Sequence, residues 1–220
     1  MQSECMSDQW AAENLQTIRT LMERSAVYRR ALAPVMTVTG VIGMGAAFAG
    51  WKSEIAGPGP FILYWLCVAV VAVGAGGVLI RRQALQQGEQ FWSPPTRRVS
   101  QAMLPPLFAG LIIGGMAVFA NWRSGVAVVP GYYSHVCLPL VWVILYGCAV
   151  HAAGFFMKRG IRVFGWLIVV LACLGFVLGH PETATGLLDL GYGIMGGVFG
   201  LLHIFYGIYL FATEKRGASE

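Results

Sequence analysis

Six stretches, 31–51, 61–80, 104–121, 136–157, 163–179 and 190–212, contain no Lys, Arg, Asp or Glu, and every charged residue of the chain lies between or outside them. Apolar residues fill these stretches around the whole helical circumference instead of recurring on one face, which marks helices buried in hydrocarbon. A bilayer core of about 30 Å is crossed by about 20 residues of α-helix, so each stretch is long enough to span it. The pattern predicts an all-α, polytopic membrane protein: a six-transmembrane-helix bundle of three helical hairpins, preceded by an N-terminal cytoplasmic amphipathic helix. The expected organisation is a leader over 1–30, the six-helix domain over 31–212 and a tail over 213–220.

The leader has a different period. Leu15, Ile18, Leu21, Met22 and Ala26 share one arc at about 100° per residue, with Arg19, Glu23, Arg24 and Arg30 on the other side. Such a helix can lie on anionic headgroups or dock a protein, and Arg19, Arg24, Arg29 and Arg30 are its candidate lipid- or partner-contacting residues. Residues 81–103, with Ser93-Pro94-Pro95 between two arginine pairs, read as a surface loop.

Composition strengthens the membrane reading. Of the 220 residues, 57% are hydrophobic and 11% charged, against about a quarter charged in soluble domains. The net charge of +5 does not point to nucleic acid, because the basic residues fall in segments beside apolar spans instead of on one soluble face. If the chain crosses at each stretch, thirteen basic residues lie on one side: Arg19, Arg24, Arg29, Arg30, Arg81, Arg82, Arg97, Arg98, Lys158, Arg159, Arg162, Lys215 and Arg216. The other side has Lys52 and Arg123. Cytoplasmic flanks are enriched in Lys and Arg, so both termini are expected in the cytoplasm. Ala47-Phe48-Ala49 imitates a signal-peptidase site, but 21 uncharged residues exceed the usual secretory apolar region, and the first span is expected to stay attached.

The first and third stretches resemble each other at an offset of 71 residues. Pro34 matches Pro105, and Gly43, Ala46, Phe48, Ala49 and Trp51 match Gly114, Ala117, Phe119, Ala120 and Trp122. Pro34 and Pro105-Pro106 are expected in the first turn of their helices, and Trp51, Trp122, Tyr132 and Tyr133 at the outer interface. Gly-xxx-Gly spacings at Gly110/Gly114, Gly193/Gly197 and Gly196/Gly200 are candidate helix-packing positions, with the sixth span either the most enclosed helix or the seam of a homodimer.

Candidate chemistry is sparse. No carboxylate, lysine or arginine lies inside a stretch, which disfavours a proton-coupled carrier with a mid-membrane acid. Five cysteines form no CxxC, so a thiolate metal site has little support. His151 and His203 lie about 22 Å and about 20 Å from the outer ends of their stretches, at nearly one level. They are candidate cofactor-binding residues, as haem or metal ligands, with His135 and His180 at a second level nearer the outside. The alternative is a structural role, with Tyr146, Tyr206 and Tyr209 as hydrogen-bond partners.

The segments ENLQTIRTLMERS, LYGCAV followed by HAAGFFMKRG, and FGLLHIFYG resemble a group of uncharacterised six-span bacterial inner-membrane proteins. The resemblance implies a bacterial cytoplasmic membrane and a leader helix belonging to the fold, and it brings no activity or ligand. The function expected is that of a non-enzymatic scaffold or sensor contacting membrane lipids or a cytoplasmic protein. A small homodimeric transporter and a haem protein with paired histidines are the alternatives.

Overall fold

A computed structural model describes residues 32–86, 88, 92–125, 128–157, 159–179 and 183–216. The leader, with Arg19, Arg24, Arg29 and Arg30, lies outside them, as do Lys158, His180 and the last four residues. The described residues are all-helical, and six helical segments are long and apolar enough to cross a membrane. The chain is thus built as a multi-pass membrane protein. The segments are Leu32–Lys52, Pro58–Gln86, Thr96–Ser124, Tyr133–Phe156, Arg159–Leu178 and Thr185–Thr213.

We label the helices α1 (Leu32–Lys52), α2 (Pro58–Gln86), α3 (Pro94–Ser124), α4 (Leu138–Ala153), α5 (Arg159–Leu178), α6 (Ala184–Met195) and α7 (His203–Arg216). A π-helical turn, Tyr133–Cys137, precedes α4 and a 3₁₀ turn, Gly154–Phe156, follows it. A second π-helical segment, Gly196–Leu202, joins α6 to α7, so the sixth span is two α-helices welded by a wide turn.

The region read as a loop over 81–103 is largely helical. α2 runs on through Arg81 and Arg82 to Gln86, and α3 starts at Pro94. Helix-forming residues after Arg82 let the backbone continue past the point where hydrophobicity stops. Pro94, at the start of α3, therefore takes the first-turn position expected of Pro105 and Pro106. Those two lie inside the helix, where they cannot donate to the carbonyls of Gln101 and Ala102. At the other end α3 stops at Gly125, whose φ of 64° is left-handed.

Close backbone approaches place the helices. On one side of the molecule α1 meets the sixth span: a Cβ on Gly40 would lie 2.8 Å from the backbone nitrogen of Ile204, and one on Gly200 would lie 2.9 Å from that of Met44. Gly43 abuts the carbonyl of Phe199 and Gly207 the hydroxyl of Thr37. On the other side α4 meets α5, where a Cβ on Gly165 would sit 2.6 Å from the His151 nitrogen and 2.8 Å from the Gly147 oxygen. Small residues bring helices this near because lipid supplies no hydrophobic drive for association and packing contacts must do so.

The core has two parts. One runs between α4, α5 and the sixth span, around Val136, Leu140, Val143, Val150, Phe164 and Ile168. The other gathers Phe61, Ile62, Trp65, Leu138, Tyr192 and Met195 near the start of α2.

Candidate functional site: histidines and arginines around α5

His203 opens α7 and is 2% exposed. Its Nδ1–H donates to the Val198 carbonyl at 2.7 Å, and the Tyr146 hydroxyl donates to its Nε2 at 2.7 Å. A carbonyl can only accept, so the proton sits on Nδ1, and a neutral ring satisfies both bonds. Phe164 stands edge-on at 5.5 Å and Phe199 stacks at 6.2 Å. Of the three tyrosines named from the sequence, Tyr146 is the partner; Tyr206 stacks on Phe164 at 4.1 Å and then on Tyr209.

His151 has a different setting. Its Nδ1–H donates to the Arg162 carbonyl at 3.2 Å, and its ring lies against Phe155 and Trp166, at 5.3 and 5.5 Å. It lines an open groove of about 380 Å³ with Arg159, Arg162, Val163 and Trp166. The Arg162 guanidinium lies over the Phe155 ring, 5.3 Å from its centroid.

The two histidines thus do not converge. His203 touches Phe164 and His151 touches Trp166, two residues apart on α5 and so about 200° apart around it. A helix divides them. Both His203 nitrogens are engaged within the protein, whereas His151 lines a groove shared with two arginines. Among the described residues no group of three or more His, Cys, Asp or Glu side chains is placed to hold a metal ion.

His135, in the π-helical turn, is 5% exposed and donates from Nδ1 to the Gly131 carbonyl at 2.8 Å. It packs on Phe61 at 4.6 Å, joining the ring cluster with Trp65 and Tyr192. Here the hydroxyl of Tyr192 donates to Ile55, that of Tyr64 to Ala46, and the Trp51 indole to Asp189. These bonds fasten the end of α1 to α2 and α6.

The glycines divide. Gly200 packs against α1, whereas Gly110 and Gly114 receive a side chain: the Trp142 indole lies along them and donates to the Gly110 carbonyl at 2.9 Å. Gly193 and Gly197 have no heavy atom within 4 Å of where a Cβ would stand. Gly147, Gly154 and Gly165, which carry the α4–α5 contact, have no Gly-xxx-Gly spacing and were invisible to that criterion. The groove was missed too, since Arg159, Arg162 and Trp166 meet His151 only because the α4–α5 turn is tight. The repeat does reappear locally: Phe48–Trp51 and Phe119–Trp122 form like-tilted ring pairs at 6.4 and 6.1 Å.

No protein-family model, curated protein or solved structure matches the chain.

Proposed function

We propose that this chain is a non-enzymatic membrane scaffold or sensor whose basic end faces the cytoplasm of a bacterium and contacts membrane lipid or a cytoplasmic protein. The observation that carries the reading is how its intramembrane polar groups are used. His203, Tyr146, Tyr64 and Trp142 tie one helix to another and Tyr192 ties α6 to the loop after α1, an arrangement suited to holding a shape. At the basic end, Arg81, Arg82, Arg97, Arg98 and Arg159 are exposed at helix ends. Clusters of this kind are attracted to an anionic leaflet, by about 1 kcal/mol for each residue near the surface.

The test compares the full chain with a form lacking residues 1–28, both recovered from membranes by affinity tag. The truncated form should elute as a folded species in detergent yet lose the proteins that accompany the full chain. Identical co-purifying material in both samples refutes a role for the leader. A homodimeric carrier is the second reading, favoured by the open surface at Gly193 and Gly197 on the sixth span.

A further inference from the structure

We infer that the groove between the end of α4 and the first turns of α5 is a binding site for the phosphate of an anionic membrane lipid. This rests on the preceding reading only in that the basic end must lie at the headgroup level.

Three features combine. The first is unbalanced charge. Arg159 and Arg162 occupy the first turn of a 20-residue helix that has no acidic residue there, so two cations sit at the positive end of the helix dipole. Among the described residues neither arginine has a carboxylate partner. An anion between them removes the conflict, and guanidinium forks match phosphate oxygens in pairs.

The second is shape. His151 is held by the Arg162 carbonyl and Arg162 lies over Phe155, so the wall of the groove is set by contacts within the protein. Trp166, 58% exposed, supplies an amphipathic ring of the type that settles at headgroup level. His151 also lines the groove and brings an imidazole to it.

The third distinguishes a lipid from a soluble phosphate. Below the arginines, Val163, Leu167, Val170 and Leu174 recur at helical spacing on one face of α5, and all are exposed. This apolar stripe runs from the groove into the hydrocarbon and gives an acyl chain a path along the helix. A free phosphate has no use for it.

The experiment is native mass spectrometry of the full chain in mild detergent, titrated with phosphatidylglycerol, phosphatidylcholine or inorganic phosphate. Phosphatidylglycerol should be retained over phosphatidylcholine, and R159Q/R162Q should weaken that retention by about tenfold. R97Q/R98Q, at the same end but outside the groove, removes only the general attraction of the basic end and should weaken retention clearly less than R159Q/R162Q does. V163E places a carboxylate on the groove's exposed rim and should also weaken retention, which gives a second variant should R159Q/R162Q fail to fold. Unchanged retention in R159Q/R162Q or V163E overturns the site. Equal losses in R159Q/R162Q and R97Q/R98Q leave the basic-end reading standing but overturn the groove, and no anionic preference in any sample overturns both. Displacement of phosphatidylglycerol by an equal concentration of inorganic phosphate reassigns the groove to a soluble anion and overturns the lipid.

Discussion

The α4–α5 hairpin and the α2–α3 hairpin are built from equally apolar helices, yet they hold together by different means. Over an 18-residue apolar stretch of the fourth span 50% of residues are buried, against 17% for α2 and 11% for the third span. α4 and α5 meet through Gly147, Gly154 and Gly165, with backbone of the facing helix 3.0, 2.8 and 2.6 Å, respectively, from where a Cβ would stand, beside side-chain atoms of Val169 and Arg162 at the first two. α3 instead receives the α4 indole Trp142 on Gly110 and Gly114, and it leaves Phe108, Leu111, Met116 and Phe119 exposed. Hydrophobicity is nearly constant around the molecule and so selects neither contact. What separates the two is whether the atom facing a glycine is backbone, which cannot give way, or a side chain, which can.

The largest effect is expected from Gly165→Leu. Its side chain would enter the space of the His151 backbone nitrogen, forcing α4 and α5 apart, at a cost of about 3 kcal/mol. A loss of several degrees in thermal unfolding in detergent would show it, and an unchanged midpoint would mean the two helices do not touch. Next comes His203→Ala, which leaves the buried Tyr146 hydroxyl without its partner and opens a gap beside Phe164. It should cost about 2 kcal/mol, and Tyr146→Phe about 1 kcal/mol, because paired polar groups in membranes contribute modestly. If Tyr146→Phe is as damaging as His203→Ala, the hydroxyl bond is not the weaker part of the pair.

Gly114→Ala should be milder than Gly165→Leu, about 1 kcal/mol, since the contacting atom belongs to the Trp142 ring and can swing aside. Last, Gly193→Ala and Gly197→Ala should leave monomer stability within about 0.5 kcal/mol. A clear loss of a dimer on size-exclusion with these variants, at unchanged monomer stability, would move the comparison to a contact between two copies.

Much of the architecture was legible because the bilayer imposes a single length and forbids unpaired charge. All six spans were visible from charge-free stretches, and their ends shifted by several residues where α2 and α3 carry helix beyond the apolar part. Turn chemistry misled at Pro105 and Pro106: proline inside a long membrane helix is tolerated, so it did not mark a start. The candidate site was legible only in its members. His151 and His203 drew notice as polar residues in hydrocarbon, but their separation depends on which side of α5 each meets, and sequence spacing within α4 and α7 does not encode that. Tyr146 could be named as a partner in kind, whereas the arginine groove depends on a chain reversal of a few residues.

The wide turn at Gly196–Leu202 decides which way the second half of the last span looks. In an unbroken α-helix, a residue seven places after Gly196 would return to nearly the same direction as Gly196, toward α1. That residue is His203. The π-helical segment inserts one residue's worth of rotation, about 100°, and Ile204 takes the place against Gly40 instead. His203 is thereby turned inward to Tyr146 and Phe164. Straightening that segment into α-helix at unchanged length would re-phase everything after it, driving an imidazole into the glycine contact with α1 and leaving the interior with an aliphatic side chain in its stead, whereas deleting one of its residues would absorb the turn and leave His203 facing inward.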